Sequence, residues 1–200
     1  MVDARFDRAI AAIDAANAED PNTIVVNGEE RPKELAHGEL MTAWVERFDP
    51  EASVDQLLAA RAHHIRRWTL ARADYPEGRA GYLRWRAELA RRHADEASEI
   101  LEECGYDRPL IERVEAIITK RRRTSDPAVQ LHEDALCLVF LETQFGDLAA
   151  RLGREKTIDV VAKTIAKMSN RGLEAAQSLG FSRRQRDLLE AAFAAAEQSS

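Results

Sequence analysis

Apolar residues recur at steps of three and four along almost the whole chain of 200 residues, and the strict alternation that is typical of strands is nearly absent. This spacing predicts helices that bury one face each, and therefore an all-α fold. The predicted helices cover residues 3–18, 32–48, 53–68, 79–104, 109–121, 127–145, 154–169 and 171–179, with a last one that begins at residue 182. We expect a bundle of about seven to nine helices.

The stretch between the first two predicted helices, residues 20–32, is the largest irregular one. Residues 23–26 can form a short extended segment, but Asn27 and Gly28 turn the chain at once. No repeat, low-complexity tract or change of composition marks a linker. The sequence therefore predicts one domain over residues 1–200. Capping-box patterns predict two later helix starts, at Ser53 with Gln56 and at Ser182 with Gln185.

Composition narrows the classes of protein to consider. A chain of this length with 45% hydrophobic residues can bury one sizeable core. The formal net charge of −6 argues against non-specific nucleic-acid binding, which needs a basic surface to displace counterions, but it leaves room for a local basic pocket. We therefore expect a small molecule, rather than nucleic acid, as the ligand; no pattern bears on the oligomeric state.

Three features predict a soluble protein of the cytoplasm with no membrane partner. The two cysteines form no disulfide framework or metal-type pair, which suits a reducing compartment. The first residues carry acids and lack the apolar run of a signal peptide. The longest apolar stretch, residues 135–141, is too short to cross a bilayer of about 30 Å.

Candidate chemistry lies in three polar residues on apolar helix faces. Phosphate-binding glycine loops, nucleophile elbows and His-Glu-x-x-His patterns are missing, so an active site has to be assembled from separate helices. His64 shares a stripe with Leu57 and Ala60, whereas helical phasing points His63 about 100° away. His93 lies on a second such stripe, and Asp134 opens the apolar run of a third helix. Two imidazoles and a carboxylate are a suitable ligand set for a divalent metal ion. The alternative is that the histidines are hydrogen-bonded in the core and the aspartate forms a structural ion pair.

The order His64, His93, Asp134 resembles the metal-binding layout of HD-domain phosphohydrolases, and residues 106–118 resemble the helix that follows their His-Asp pair. The chain is also similar, over nearly its whole length, to a bacterial and fungal family described only as a domain of unknown function. The segments that carry this second resemblance are residues 60–68, 75–86, 133–142 and 155–169. Together the resemblances imply a single HD-like helical domain.

The HD resemblance implies a metal-dependent phosphohydrolase that acts on a nucleotide or a small phosphate ester. A divalent metal ion would be held by His64, His93 and Asp134. Glu96 or Glu133 would serve as a further ligand or proton acceptor. Phosphate would be held by basic residues, namely Arg66 or Arg84, with Lys120 at the end of the fifth helix, where HD enzymes often have another histidine.

One departure from the HD pattern keeps a second interpretation open. HD enzymes have aspartate directly after the second histidine, and this chain has Ala94 there. The alternatives are a site with one metal, or a degenerate scaffold that binds a phosphorylated ligand or a protein partner without turnover.

Overall fold

The computed structural model describes residues 4–197. Contacts within the chain divide it into two compact units, Met1–Val129 and Gln130–Ser200. The family-like segments named above fall in both units, and the single domain over residues 1–200 stays a prediction. Asp3, the predicted first residue of the first helix, lies outside the described residues.

The first unit contains five helices, a hairpin of two strands and two short 3-10 turns, Arg67–Thr69 and Arg72–Asp74. In chain order its elements are α1 (Ala4–Ala18), β1 (Thr23–Val26), β2 (Glu29–Pro32), α2 (Lys33–Phe48), α3 (Val54–Ala62), α4 (Gly78–Glu103) and α5 (Arg108–Ile118).

The second unit is helical throughout its described part. Its first helix, α6, begins at Pro127 just before the boundary. The helices are α6 (Pro127–Thr143), α7 (Phe145–Leu152), α8 (Arg154–Ile165), α9 (Asn170–Gln177) and α10 (Arg183–Glu197). Within this unit α8 packs against both α7 and α10.

The described residues thus form ten α-helices, so the prediction of seven to nine was too low. The extra helix is α7, which occupies the stretch between the sixth and seventh predicted helices; Gln144, with φ −121° and ψ −17°, leaves the helical region and separates α7 from α6. The fold is also not purely α. Antiparallel pairing of β1 with β2 runs from Thr23 opposite Pro32 to Val26 opposite Glu29. Asn27 and Gly28 both have positive φ, which a tight two-residue hairpin requires.

The core of the first unit is built by α1, α3, α4 and α5. Its largest members are aliphatic side chains that are at most 1% exposed, and small residues among them let the helices approach closely. They include Ile13, Leu58, Leu101, Ile111 and Ile117, with Ala9, Ala59, Ala62 and Ala97 between them. The predicted face of α5 is buried as expected, whereas in α3 the buried residues include Leu58 and Ala59 but not Leu57, and Tyr82 of α4 is exposed.

Among residues 4–197, no helix is both long enough and apolar enough to span a bilayer.

Candidate metal centre and the cavity beside it

The first turns of α2 bring a carboxylate and an imidazole to one buried face. Glu34 and His37 are three residues apart, so both lie on the same side of the helix, and both are at most 5% exposed. The same face continues with apolar Met41 and Val45. The backbone N–H of Glu34 donates to Asp20 Oδ2 over 3.0 Å, which ties the first turn of α2 to the chain before the hairpin.

The predicted third helix ends earlier than its sequence pattern indicates. α3 stops at Ala62, and His63 and His64 lie in the turn that follows. Arg66 then adopts the left-handed conformation with φ 46°, and its N–H donates to the side-chain oxygen of buried Asn17 over 3.1 Å. Because the helix has ended, the helical phasing that separated His63 from His64 does not apply. Both rings face the same cavity.

Four imidazoles from three segments form one cluster. The rings of His37 and His64 stack with their centroids 4.2 Å apart. The His63 ring lies 4.6 Å from that of His64, and the His93 ring, from α4, lies 5.7 Å from it on another side. His64 is therefore the centre of the cluster.

Glu34, His37 and His64 can hold a metal ion. One ligand atom from each residue lies within 4.8 Å of the others. Ligands around a common ion at about 2.0–2.2 Å are at most about 4.4 Å apart. Closing the three groups onto an ion therefore needs only small side-chain movements.

Burial sets the protonation of this group. It lowers the pKa of His37 to about 3 and that of His64 well below its usual range, so both rings are neutral at pH 7 and retain a lone pair for a cation. Burial also raises the pKa of Glu34 to about 7, because few nearby charges compensate its carboxylate. A bound cation would supply that compensation. At present the carboxylate lies 3.2 Å from His64 Nδ1 and 3.9 Å from Arg67 Nε.

His93 offers a further buried lone pair. Its Nδ1 lies 2.8 Å from the carbonyl oxygen of Ile65, which can only accept, so Nδ1 carries the proton. Its Nε2 is buried and makes no hydrogen bond among the described residues. Burial lowers the pKa of His93 to about 4, which keeps Nε2 unprotonated at pH 7.

A cavity of about 200 Å³ lies beside the cluster within the first unit. We call it the basic cavity because its polar lining consists mainly of imidazoles and cations. These residues are His63, His64, His93, Arg67, Arg86 and Lys120. The Arg67 guanidinium also lies over the Trp85 ring, 5.0 Å from its centroid, which holds its planar group in place.

The other residues predicted on this unit lie in different settings. The Arg66 guanidinium lies 3.7 Å from the carboxylate of Glu96, and the two form a partly buried ion pair. Burial raises the pKa of Glu96. Arg84 is exposed on α4. Of the predicted basic residues on this unit, Lys120 is the one that lines the basic cavity.

Glu133 and Asp134 are buried residues of α6 in the second unit. Asp134 binds Ser169, the N-cap residue of α9: its Oδ1 accepts from Ser169 N–H over 2.8 Å, and its Oδ2 accepts from the Ser169 hydroxyl over 2.5 Å. Gln130 Nε2 donates to the same Oδ1 over 3.0 Å. The carboxylate packs so closely on Gly172 that a Cβ there would lie 2.8 Å from Asp134 Cγ. In its own unit Asp134 thus has a structural environment; its assignment as a metal ligand stays a prediction.

Sequence reasoning missed Glu34, His37 and His63, and it chose Arg66 rather than Arg67 to hold phosphate. A signal for Glu34 and His37 was present. They continue the apolar stripe of α2 toward its start, so both polar side chains lie on the buried face of the helix. His63 and Arg67 could not be found in this way, because a helical phase was applied to residues that are not in a helix.

A model of the family described as "Domain of unknown function (DUF4202)" matches residues 7–189. The resemblance to a family of unknown function is thereby confirmed. The comparison with curated proteins and the comparison with solved structures each returned no match. The HD-like fold stays a prediction.

Proposed function

We propose that the chain, which belongs to the family described as a domain of unknown function (DUF4202), is a metal-dependent phosphohydrolase acting on a nucleotide or a small phosphate ester. The observation that carries the proposal is the position of Glu34, His37 and His64 next to the basic cavity. A cation site and an anion site share His64. This pairing is what the hydrolysis of a phosphate ester by a metal-bound water needs.

The donor set suits a divalent transition metal. Two neutral imidazoles and one carboxylate are borderline ligands of the kind that bind zinc, iron or manganese. The Nε2 of His37 is buried and makes no hydrogen bond to any residue within 4–197, which supports this assignment, because a buried acceptor without a partner is costly and a cation would satisfy it.

Such an ion, when bound, supplies a water of lowered pKa and polarises a phosphoryl oxygen. The chain's own residues would do the rest. Arg67 and Arg86 would attract and orient the phosphate, since a guanidinium binds two phosphate oxygens at once. The His93 Nε2 lone pair would accept a hydrogen bond from a hydroxyl group of the ligand.

The surroundings of the remaining residues decide which of their predicted roles the proposal keeps. Arg67 is a better candidate than Arg66 to hold phosphate, because Arg67 lines the basic cavity and Arg66 does not. Glu96 has a raised pKa and stays a candidate proton carrier. Two further ligands, His93 and Asp134, stay predictions. The roles predicted for Glu133 and Arg84 stay predictions as well.

A non-catalytic module that binds a phosphorylated ligand is the second candidate. The observation that favours it is Ala94, which is 5% exposed and puts an apolar methyl group into the core where HD enzymes carry aspartate. The basic cavity alone would suffice for such a module.

The test compares metal and turnover in matched variants. We expect purified protein to contain a divalent metal, and Mn²⁺ or Zn²⁺ to raise the melting temperature after chelation. Glu34→Gln removes the charged ligand and should abolish both effects. Glu46→Gln, the same change at an exposed position of α2, should leave them intact.

The same samples are then given a panel of nucleotides and small phosphate esters. Release of phosphate that Glu34→Gln loses supports the hydrolase. Metal-dependent binding without release supports the module instead. Absence of metal and of any metal-induced shift in melting temperature would overturn the metal centre.

A further inference from the structure

The end of α5 places a lysine where a helix normally has glycine. Arg121 N–H donates to the Ala116 carbonyl over 2.9 Å, and Lys120 N–H donates to that of Ile117 over 3.0 Å. This is the Schellman pattern, in which the residue at the position of Lys120 is left-handed. Lys120 has φ 57°. Side chains with a Cβ adopt this conformation at a cost, because the Cβ approaches the backbone.

The end of α4 is the comparison within the same chain. There the same two bonds run from Tyr106 N–H to Leu101 O and from Gly105 N–H to Glu102 O, each 3.0 Å long. The left-handed residue is Gly105, with φ 84°. The chain therefore uses glycine for this motif at α4 and accepts strain for it at α5.

The strained lysine lines the basic cavity. Lys120, Arg67 and Arg86 come from three separate segments and gather three cationic side chains around one space. Arg67 directly follows another left-handed non-glycine residue, Arg66. Of the four non-glycine residues with positive φ among the described ones, Lys120 is the one that lines this cavity, and backbone strain beside a cavity is typical of functional sites. His93 is another residue that lines this cavity, and its buried Nε2, which makes no hydrogen bond among the described residues, is a second and independent sign of a ligand.

The volume of the basic cavity limits which part of a ligand can enter it. Pockets for whole drug-sized ligands have about 300–1,000 Å³, and this cavity has about 200 Å³. A phosphoryl group fits such a space, and the remainder of an ester would stay outside it. An anion with a hydroxyl donor would satisfy the cations and His93 Nε2 together.

We propose that Lys120 is a specificity residue that binds the phosphoryl group of a phosphate monoester, and that the cap of α5 gives up backbone stability to place this ammonium in the basic cavity. The inference rests on the proposed function for the identity of the ligand. It deepens that proposal by naming the residue that selects the anion.

The test uses inorganic phosphate as the probe, titrated by calorimetry in the presence of EDTA, so that metal plays no part. Lys120→Gly removes the ammonium and relieves the strain, and the matched control is Arg122→Gly. Arg122 carries the same charge in the same loop, is also left-handed with φ 59°, and is exposed. Both variants should melt about 2–4 °C higher than the unmodified chain.

Only Lys120→Gly should lose phosphate affinity, by about tenfold or more, since a charge-assisted hydrogen bond is lost. Lys120→Arg, which keeps the charge, should retain phosphate affinity within about threefold. Equal affinity in Lys120→Gly and the unmodified chain, or no phosphate binding by the unmodified chain, would overturn the inference. A lower melting temperature of Lys120→Gly would show that the lysine is not strained and would overturn it too.

Metal content is measured on untreated samples of the same preparations. Protein without metal whose phosphate binding depends on Lys120 would refute the hydrolase and leave this inference standing. Protein that contains metal, and whose phosphate affinity is the same with and without the Lys120 side chain, would overturn this inference and leave the hydrolase standing.

Discussion

His37 and His64 stack face to face, with their ring planes 14° apart and their centroids 4.2 Å apart. One ring comes from the first turns of α2 and the other from the turn that follows α3. Two imidazolium cations would repel each other at this distance, and burial lowers the pKa of both rings, so both are neutral at pH 7. Two neutral rings and one carboxylate that share a small space can accept one cation.

His37→Asn should lower metal affinity by more than about 100-fold, because removing a ligand costs more than the 10–100-fold typical of its supporting residues. Competition against a chelator with Zn²⁺ measures this affinity. His63→Asn, which removes an imidazole of the cluster outside the Glu34, His37 and His64 group, should change it less than about tenfold. Equal losses in both variants would place the ion elsewhere in the cluster.

Ala94→Asp tests whether the scaffold has room for the aspartate of HD enzymes. Ala94 is 5% exposed within the core of the first unit, so the new carboxylate would be buried among apolar groups. We expect a loss of about 1–3 kcal/mol in the free energy of unfolding. Ala80→Asp, at an exposed position of the same helix away from the basic cavity, should cost less than about 0.5 kcal/mol. A variant as stable as the unmodified chain, and with higher metal affinity, would show instead that position 94 faces a metal site.

Asp134→Asn separates a structural role from a ligand role. The change removes the charge that accepts hydrogen bonds from the Ser169 hydroxyl and N–H, so the free energy of unfolding should fall by about 1–3 kcal/mol. If the Asp134 carboxylate is structural, the free energy of unfolding falls by the same amount in EDTA as in the presence of metal. If Asp134 is a ligand, the difference appears only when metal is present. Urea unfolding of both proteins under both conditions measures it.

Asp126 makes the stability of the first unit depend on pH. Arg113 forms a close ion pair with Asp126 and holds its pKa at about 2, below the value of about 3.9 in an unfolded chain. The folded state therefore binds this proton less readily. The stabilisation is fully present above about pH 4 and is lost as the pH falls toward 2.

Asp126→Asn keeps the N-cap of α6 and removes the ion pair, because Asn caps helices about as well as Asp. We expect it to lower the free energy of unfolding by about 0.5–1 kcal/mol at pH 7, as for other partly exposed pairs. The difference between the two proteins should shrink steadily below pH 4. A difference that stays constant down to pH 2.5 would show that the cap, not the charge, is the cause.

Much of the fold could be predicted from the sequence, because apolar spacing and local caps report on contacts near in the chain. Gln56 and Gln185 accept from the N–H groups of Ser53 and Ser182, which confirms both capping boxes. Asp126 caps α6 ahead of Pro127, as the pattern indicates. Only the first strand of the hairpin could be predicted, because β2 consists of charged residues and proline, which carry no strand signal.

The site was less accessible to the same reasoning. His64 and His93 were found because each interrupts an apolar stripe. Glu34 and His37 were missed because the leucines of α2, Leu35 and Leu40, indicate a different face. Both leucines are only partly buried, whereas Glu34 and His37 are buried. Beyond the early end of α3, the N–H of Arg66 binds Asn17, a residue almost fifty positions away, and no local pattern records such a bond.

That bond has a consequence for how the cluster is assembled. Two consecutive histidines cannot face the same way on a helix, so residues that would readily continue α3 must be kept out of helical form. The side chain of Asn17 contributes to this by accepting the N–H of Arg66, and Asn17 is itself held in α1. A contact from the first helix thus helps to hold the segment in which the two histidines converge. If the cluster binds an ion as we propose, its ligand geometry then rests in part on how α1 is packed.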